Sequence, residues 1–377
     1  MLNRRRFLAA VGSSLLASGI RAKAATSQIK ATIRAAAQSR GIDVGAMLRR
    51  QWLNQPAKLN AIKSDFSLIA NEFDEIEWGS NPGFHGDPEF RGLTAFLQFA
   101  KENDLRPRIR QIYSHENLPR NAHLRDDGTP KNKSELEKTL LTRVEQVCRP
   151  LNGHRATIQV IDEILADHEG GIRSDPFADA FGDNLGDILF HAAHEFAPDA
   201  LLTYQEFGPE VDPNRFFKRK TRDVLALLDR WKNRGVPVTG FAVGGWITPT
   251  HGGPDLDVSV FKAIENLGLD IHVNELNIDY QDTFMPKNFY WHPKNQETND
   301  RIVEEQYVRA CNFFCKFKKL KEITFWASID HDNADEFGSL SLLPYANARP
   351  GLFNADLTPK HVYGAVADAV AKSKPIF

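Results

Sequence analysis

The chain of 377 residues is 42% hydrophobic, 10% aromatic and 25% charged, with 25 Gly and 20 Pro. This ordinary globular composition excludes disorder, collagen-like repeats and a disulfide-stapled miniprotein. Its 47 Lys and Arg against 49 Asp and Glu give a formal charge of -2, with no basic footprint for nucleic acid. Three cysteines, Cys148, Cys311 and Cys315, cannot build a disulfide framework, so the core rests on burial.

At the N-terminus, Arg4-Arg5-Arg6-Phe7-Leu8 is followed by a mild apolar run from Leu8 to Ile20 and the small-residue site Ala22-Lys23-Ala24. This has the form of a twin-arginine (Tat) export signal, with a short N-terminal helix as the alternative. The run is too short to span a bilayer, and no other stretch approaches the roughly 20 apolar residues that spanning needs. The expected organisation is a signal peptide over residues 1–24, engaged by the Tat export machinery, and one domain over 25–377. The mature protein is expected to be soluble, without stable membrane insertion, and periplasmic or secreted. Without Arg4, Arg5, Arg6, Arg21 and Lys23 its charge falls to -7.

Beyond the signal, short β-rich runs alternate with amphipathic helical stretches. The β runs are Asp43–Leu48, Ser67–Phe73, Pro107–Tyr113, Ala156–Ile164, Leu201–Phe207, Val238–Gly244, Asp270–Ile278 and Glu322–Ile329. Helices are expected at Lys133–Cys148, Asn184–Phe196, Phe217–Asn233, Asp257–Leu267 and Arg301–Leu320, with stop signals at Asn233-Arg234-Gly235 and Leu267-Gly268. Eight such units, with no Gly-rich dinucleotide turn after the first run, predict an α/β fold of the closed (β/α)8 TIM-barrel type.

In such a barrel, chemistry sits at the C-terminal ends of the strands. The fourth run ends in Val160-Ile161-Asp162-Glu163, the seventh in Val273-Asn274-Glu275-Leu276-Asn277, and the eighth in Trp326-Ala327-Ser328-Ile329-Asp330-His331-Asp332. Strict alternation puts Gln159 and Ile161 on one face with Glu163, and Ile271 and Val273 on one face with Glu275, so both glutamates are expected to point into the barrel mouth. A lone glutamate at a strand end is more often a surface residue. Two within apolar β runs suit retaining glycoside hydrolysis, in which one carboxyl protonates the leaving oxygen and another about 5–5.5 Å away attacks the anomeric carbon; a wider gap of about 6.5–9.5 Å indicates inversion.

These blocks resemble glycoside hydrolase family 10, the endo-β-1,4-xylanase family. Ile161-Asp162-Glu163 is similar to its Val-Asn-Glu acid/base motif and Val273-Asn274-Glu275-Leu276-Asn277 to its Thr-Glu-Leu-Asp nucleophile motif. Thr324-Phe325-Trp326 with Asp330, and Pro350-Gly351-Leu352-Phe353-Asn354 with Pro359-Lys360 and Tyr363, resemble its last two blocks. The resemblance implies Glu163 as acid/base and Glu275 as nucleophile. It also shows departures: Asp74 and Glu77 stand where the family has a sugar-binding Asn and Lys, Asp162 replaces the Asn that contacts the sugar 2-hydroxyl, Gln205-Glu206-Phe207 replaces Asn-Asp-Tyr, and Gly244-Gly245-Trp246 replaces Gln-x-His. Ala334 aligns roughly with the family's second strand-eight tryptophan, while His115 is kept.

The substrate-contacting set expected from this is Asp74, Glu77, His115, Asp162, Glu206, Trp246 and Trp326, with Asp332 adding to an anionic cleft that keeps Glu163 protonated. An anionic cleft points away from plain xylan and toward a polysaccharide of amino or other unusual sugars, with a bacterial exopolysaccharide as the example. A non-catalytic carbohydrate-binding barrel is the alternative. His272 is expected to pack against the helix layer, Trp291 to close a loop, and Cys311 and Cys315 to be buried thiols. His331 among Asp330, Asp332 and Asp335 hints at a metal without completing a ligand set, so neither metal nor organic cofactor is expected.

Overall fold

In the computed structural model, eight parallel strands pair in sequence order and close on themselves. They are β1 (Asp43–Arg49), β2 (Leu68–Glu72), β3 (Arg106–Ile109), β4 (Thr157–Asp162), β5 (Leu201–Glu206), β6 (Gly240–Val243), β7 (Asp270–Ile278) and β8 (Leu320–Phe325). Closure is made by β8 pairing with both β7 and β1. The structure describes residues 32–72, 91–115, 118–167, 169–209, 218–247, 256–278, 295–330 and 349–376. Asp74, Glu77, Trp291, His331, Asp332, Ala334, Asp335 and the Tat-like segment lie outside them.

The helices follow the sequence closely. Lys133–Cys148 and Asn184–Phe196 form as expected, the first with a capping box between Asn132 and Glu135. Gly235 and Gly268 stop their helices with φ of 76° and 80°, a left-handed conformation that glycine adopts without a Cβ penalty. The last predicted helix is displaced. It runs Gln296–Phe314, because the Asn295 side chain accepts from Thr298 N and caps it early, and Leu320 already belongs to β8.

Between barrel and helices the packing is apolar and aromatic. Tyr204 on β5 meets Trp231 at 5.2 Å and Phe241 on β6 at 5.6 Å, while Trp231 also contacts Phe190 on the helix Asn184–Phe196. Cys148, Cys311 and Cys315 are buried free thiols in this layer, and burial pushes Cys148 up to about 12.

The barrel interior, in contrast, is charged at its floor. Glu322 on β8 is fully buried and ion-paired with Arg106, while its Oε2 accepts from Thr157 Oγ1 at 3.0 Å. Arg108 Nε and His272 Nδ1 lie 3.7 and 3.1 Å from its other oxygen. His272 therefore points into the barrel, correcting the expectation that it faces the helices. Gly240 is what admits it: a Cβ there would lie 2.5 Å from His272 Nε2.

Candidate active site

Three arginines at alternate positions of β3 and its continuation, Arg106, Arg108 and Arg110, climb the barrel interior. Arg108 is fully buried, donating from Nη1 to Asn274 O at 3.0 Å and from Nη2 to Gln159 Oε1 at 2.7 Å. Burial lowers it to about 10, opposed by Glu322 and Glu275, so it remains a cation at neutral pH. The expected strand Pro107–Tyr113 breaks at Arg110 because the Asn71 side chain takes over the pairing, accepting from Arg110 N at 2.8 Å and donating to Arg110 O at 3.1 Å. That break sends the Arg110 side chain to the site.

Glu275 is its destination. Arg110 Nε and Gln205 Nε2 donate to Glu275 Oε1 at 3.0 and 3.1 Å, and Trp246 Nε1 donates to Oε2 at 3.1 Å. Burial would push this carboxyl up. The charges of Arg110 and Arg108 and the bonds from Gln205 and Trp246 outweigh it and hold Glu275 below its ordinary value, hence ionised. Trp246 and Trp326 rings sit 5.5 Å apart, and the Arg110 guanidinium lies 4.6 Å above Trp326. Trp246, expected as a stacking surface, thus also acts as a hydrogen-bond donor.

Both acid-bearing strands carry an extra residue, just before the acids on β4 and at the acid itself on β7. On β4, Gln159 and Ile161 oppose the consecutive residues Thr203 and Tyr204 of β5. On β7, Val273 and Leu276 oppose Ile323 and Phe325 of β8. Such bulges re-aim side chains beside functional sites, and they overturn the expected alternation. Gln159 shares its face with Asp162, donating from Nε2 to Asp162 Oδ1 at 2.8 Å. Ile161 packs in the apolar core with Ile271 and Val273. Glu275 turns inward although Asn274 before it also faces the interior, donating to Gln205 Oε1 at 2.7 Å.

Glu163 lies one residue past β4 with φ of 48°, a left-handed conformation costing a non-glycine residue about 1–3 kcal/mol. Its side chain is 23% exposed, with Arg173 Nη2 4.0 Å from Oε2. Arg173 Nε donates to Glu163 O at 3.2 Å, and Glu163 N donates to Gln205 O at 3.0 Å. The loop beyond is pinned from below: Lys220 Nζ sits 2.7 Å from both Glu206 and Asp167, while Glu206 Oε1 accepts from Leu165 N and Tyr204 Oη. Glu206 is wholly buried. It is a strut paired with a lysine and not the cleft anion expected from sequence.

Asp162 is 6% exposed and immediately precedes Glu163. Burial raises its carboxyl well above the ordinary value, the charges of Glu163 and Glu275 raise it further, and Arg110 opposes them. His115, half-buried, follows Ser114, which pairs with Asp162 in register. Asp330 does not reach the cleft. It is buried against Lys360 at 3.2 Å and accepts from Gly351 N, fastening the C-terminal segment. Among the described residues no group of His, Cys, Asp and Glu could hold a metal, and no helix is long and apolar enough to cross a membrane.

Sequence reasoning missed Arg108, Arg110, Arg173 and Lys220. The signal was present for two of them: arginines at every second position of an apolar β run face one side of it. The site is consequently not a purely acidic one. Replacing Trp246 by Phe keeps the ring and removes one donor to Glu275. The acid limb of kcat/KM is expected to move to higher pH and activity to fall about tenfold or more, as for a lost bond to a charged group; an unchanged limb contradicts this role.

A (β/α)8 barrel with acids gathered at the C-terminal ends of β4 and β7 has the architecture of a glycoside hydrolase. Residues 32–369 match Glycosyl hydrolase family 10, and the chain belongs to that family, whose members are retaining hydrolases of β-glycosidic bonds. It is similar to a beta-1,4-xylanase of Dictyoglomus thermophilum, 26% identical over 314 residues, covering 81% of this chain and 82% of the relative. An endo-1,4-beta-xylanase of Geobacillus stearothermophilus is 28% identical over 247 residues, covering 62% and 68%. In fold it resembles native xylanase 10B from Thermotoga maritima, with a TM-score of 0.74 at 20% identity over 91% of this chain and 98% of the other. A family 10 endoxylanase from a sugarcane soil metagenome gives 0.77 at 18% identity over 89% and 99%.

Proposed function

We propose that this chain is an exported retaining hydrolase of a β-linked polysaccharide, in which Glu275 attacks the anomeric carbon and Glu163 protonates the leaving oxygen. The observation that carries this is the environment of Glu275: three donors and a buried arginine keep it an anion in a place where burial alone would protonate it. Glu163, left partly open at the end of β4, is placed to meet a leaving group and then a water, the acid and base halves of double displacement. Turnover is favoured over the binding-only reading by the pairing of two unlike carboxyls, Glu275 with its charge held by three donors and Glu163 left partly open for proton exchange. Export rests on Arg4-Arg5-Arg6-Phe7-Leu8 and Ala22-Lys23-Ala24, with residues 1–24 as signal and 25–377 as the catalytic domain in the periplasm or outside the cell.

For the substrate we infer a glycan other than plain xylan, with a bacterial exopolysaccharide as the leading class. The support is the changed lining: Asp162 beside the acid/base, and Trp246 on the nucleophile. The amino-sugar argument loses one of its acids, since Lys220 neutralises Glu206. Xylan remains the competing substrate because the relatives are named xylanases. Reducing-end release from xylan and from a panel of bacterial exopolysaccharides decides between them, and vigorous xylan cleavage with none on the panel rejects the exopolysaccharide reading. Glu163→Ala is expected to lose about 10²–10⁴-fold on glycosides with poor leaving groups and far less on dinitrophenyl glycosides, which need no proton. Equal losses on both would remove Glu163 from the acid role.

A further inference from the structure

The hydrogen-bond chain that ends on Asp162 fixes more than its position. Gln159 Oε1 accepts from Arg108 Nη2 at 2.7 Å and from Asn274 Nδ2 at 3.3 Å, so the amide can be turned only one way, with Nε2 donating to Asp162 Oδ1. Oδ1 is therefore an acceptor, and any proton on this carboxyl sits on Oδ2, which has no hydrogen-bond partner among the described residues. Neither Arg108 nor Arg110 donates a described hydrogen bond to Asp162. Arg108 donates to Asn274 O and Gln159, and Arg110 Nε is committed to Glu275. Glu163 follows Asp162 directly, and Glu275 and Glu206 add two further anions from β7 and β5.

We propose that Asp162 functions as a neutral carboxylic acid, its Oδ2–H donating to a hydroxyl oxygen of the sugar seated over Glu275. Three carboxyls then carry divided roles: Glu275 is the anion, Glu163 exchanges its proton during turnover, and Asp162 keeps its proton as a fixed donor. A protonated Asp has the shape and bonding pattern of an amide, one oxygen accepting and the other position donating. An ionised Asp162 would accept from substrate and repel the anion of Glu275; a neutral one donates and leaves that anion undisturbed. The ionisable groups close enough to act on it are Glu163 on its own strand end, Arg108 and Arg110 from the β3 side, Glu275 from β7, and Tyr204 and Glu206 on β5, with His115 following the segment Tyr113–Ser114 paired with it.

This proposal deepens the functional reading above, and its primary test needs no substrate. Infrared spectra are compared for Glu163→Gln and for Glu163→Gln combined with Asp162→Asn, at about pH 6, where an ordinary aspartate is ionised. A protonated-carboxyl carbonyl band present in the first and lost in the second is expected; its absence from the first overturns the proposal. The second readout uses the full-length enzyme with whichever glycan, from xylan and the exopolysaccharide panel above, wild type hydrolyses fastest. Because Asp162→Asn donates at every pH, its kcat/KM relative to wild type should climb with pH once Asp162 begins to ionise, approaching tenfold per pH unit. A pH-independent ratio overturns the donor role. If the band is present and no glycoside is turned over, the hydrolase reading fails while the protonation state stands.

Discussion

Glu275→Gln is expected to reduce turnover by roughly 10⁵–10⁶-fold, the scale seen when a covalent nucleophile is removed from an intact site, while leaving the fold in place. The amide is isosteric with the carboxylate and accepts through one oxygen only. One of the donors now on Glu275, the Arg110 Nε and Gln205 Nε2 pair at Oε1 or Trp246 Nε1 at Oε2, therefore loses its acceptor. Some stability should be lost as well, because Arg110 and Arg108 keep their charges when the anion goes; the loss is smaller than at the fully buried Glu322, since Arg110 is partly open to water. Mass spectrometry after incubation with a 2-fluoro aryl glycoside provides the direct check. Wild type should carry a glycosyl adduct on the peptide containing Glu275, and the variant none. An adduct on another carboxyl, or residual turnover within a hundredfold of wild type, removes Glu275 from the nucleophile role.

The second large effect concerns stability. Glu322→Gln should cost about 3–5 kcal/mol at pH 7, the range for removing one partner of a buried ion pair, because Arg106 and Arg108 would remain charged inside the barrel floor. Burial would raise the Glu322 carboxyl, but Arg106, His272 and Arg108 overcome it and hold it far below the ordinary range. A depressed acid stabilises the fold at pH values above its unfolded pKa, about 4.3, and that contribution is lost as pH falls toward the folded value. Urea unfolding at pH 7 and at about pH 3 should therefore show a gap between wild type and variant that narrows in acid. A gap that is absent, or constant across that range, contradicts this account.

The fold was largely legible because its determinants are local and repeated. Apolar β runs, helix caps such as Asn132 with Glu135, and glycine stops at Gly235 and Gly268 each act within a few residues. The site was legible in its residue types but not in its orientation. Alternation predicts that Glu163 follows Ile161, yet the bulge on β4 gives the interior face to Gln159 and Asp162. That bulge is a property of pairing with β5, which a single strand's sequence does not display. Arg110 escaped notice for a related reason, since its path to Glu275 depends on Asn71, 39 residues earlier in the chain, replacing a ladder bond.

The sequence by itself determined the closed barrel, the strand ends at which Glu163 and Glu275 sit, and the resemblance that the family match bears out. The periodicities of strand and helix are written in neighbouring residues and survive without knowledge of contacts. Only the tertiary structure decided which acids are charged. Glu275 lies beside an arginine and a tryptophan, and Asp162 beside two carboxylates. Most of those neighbours come from other strands, and a carboxyl's proton affinity is set by the charges and burial around it, whatever its place in the chain.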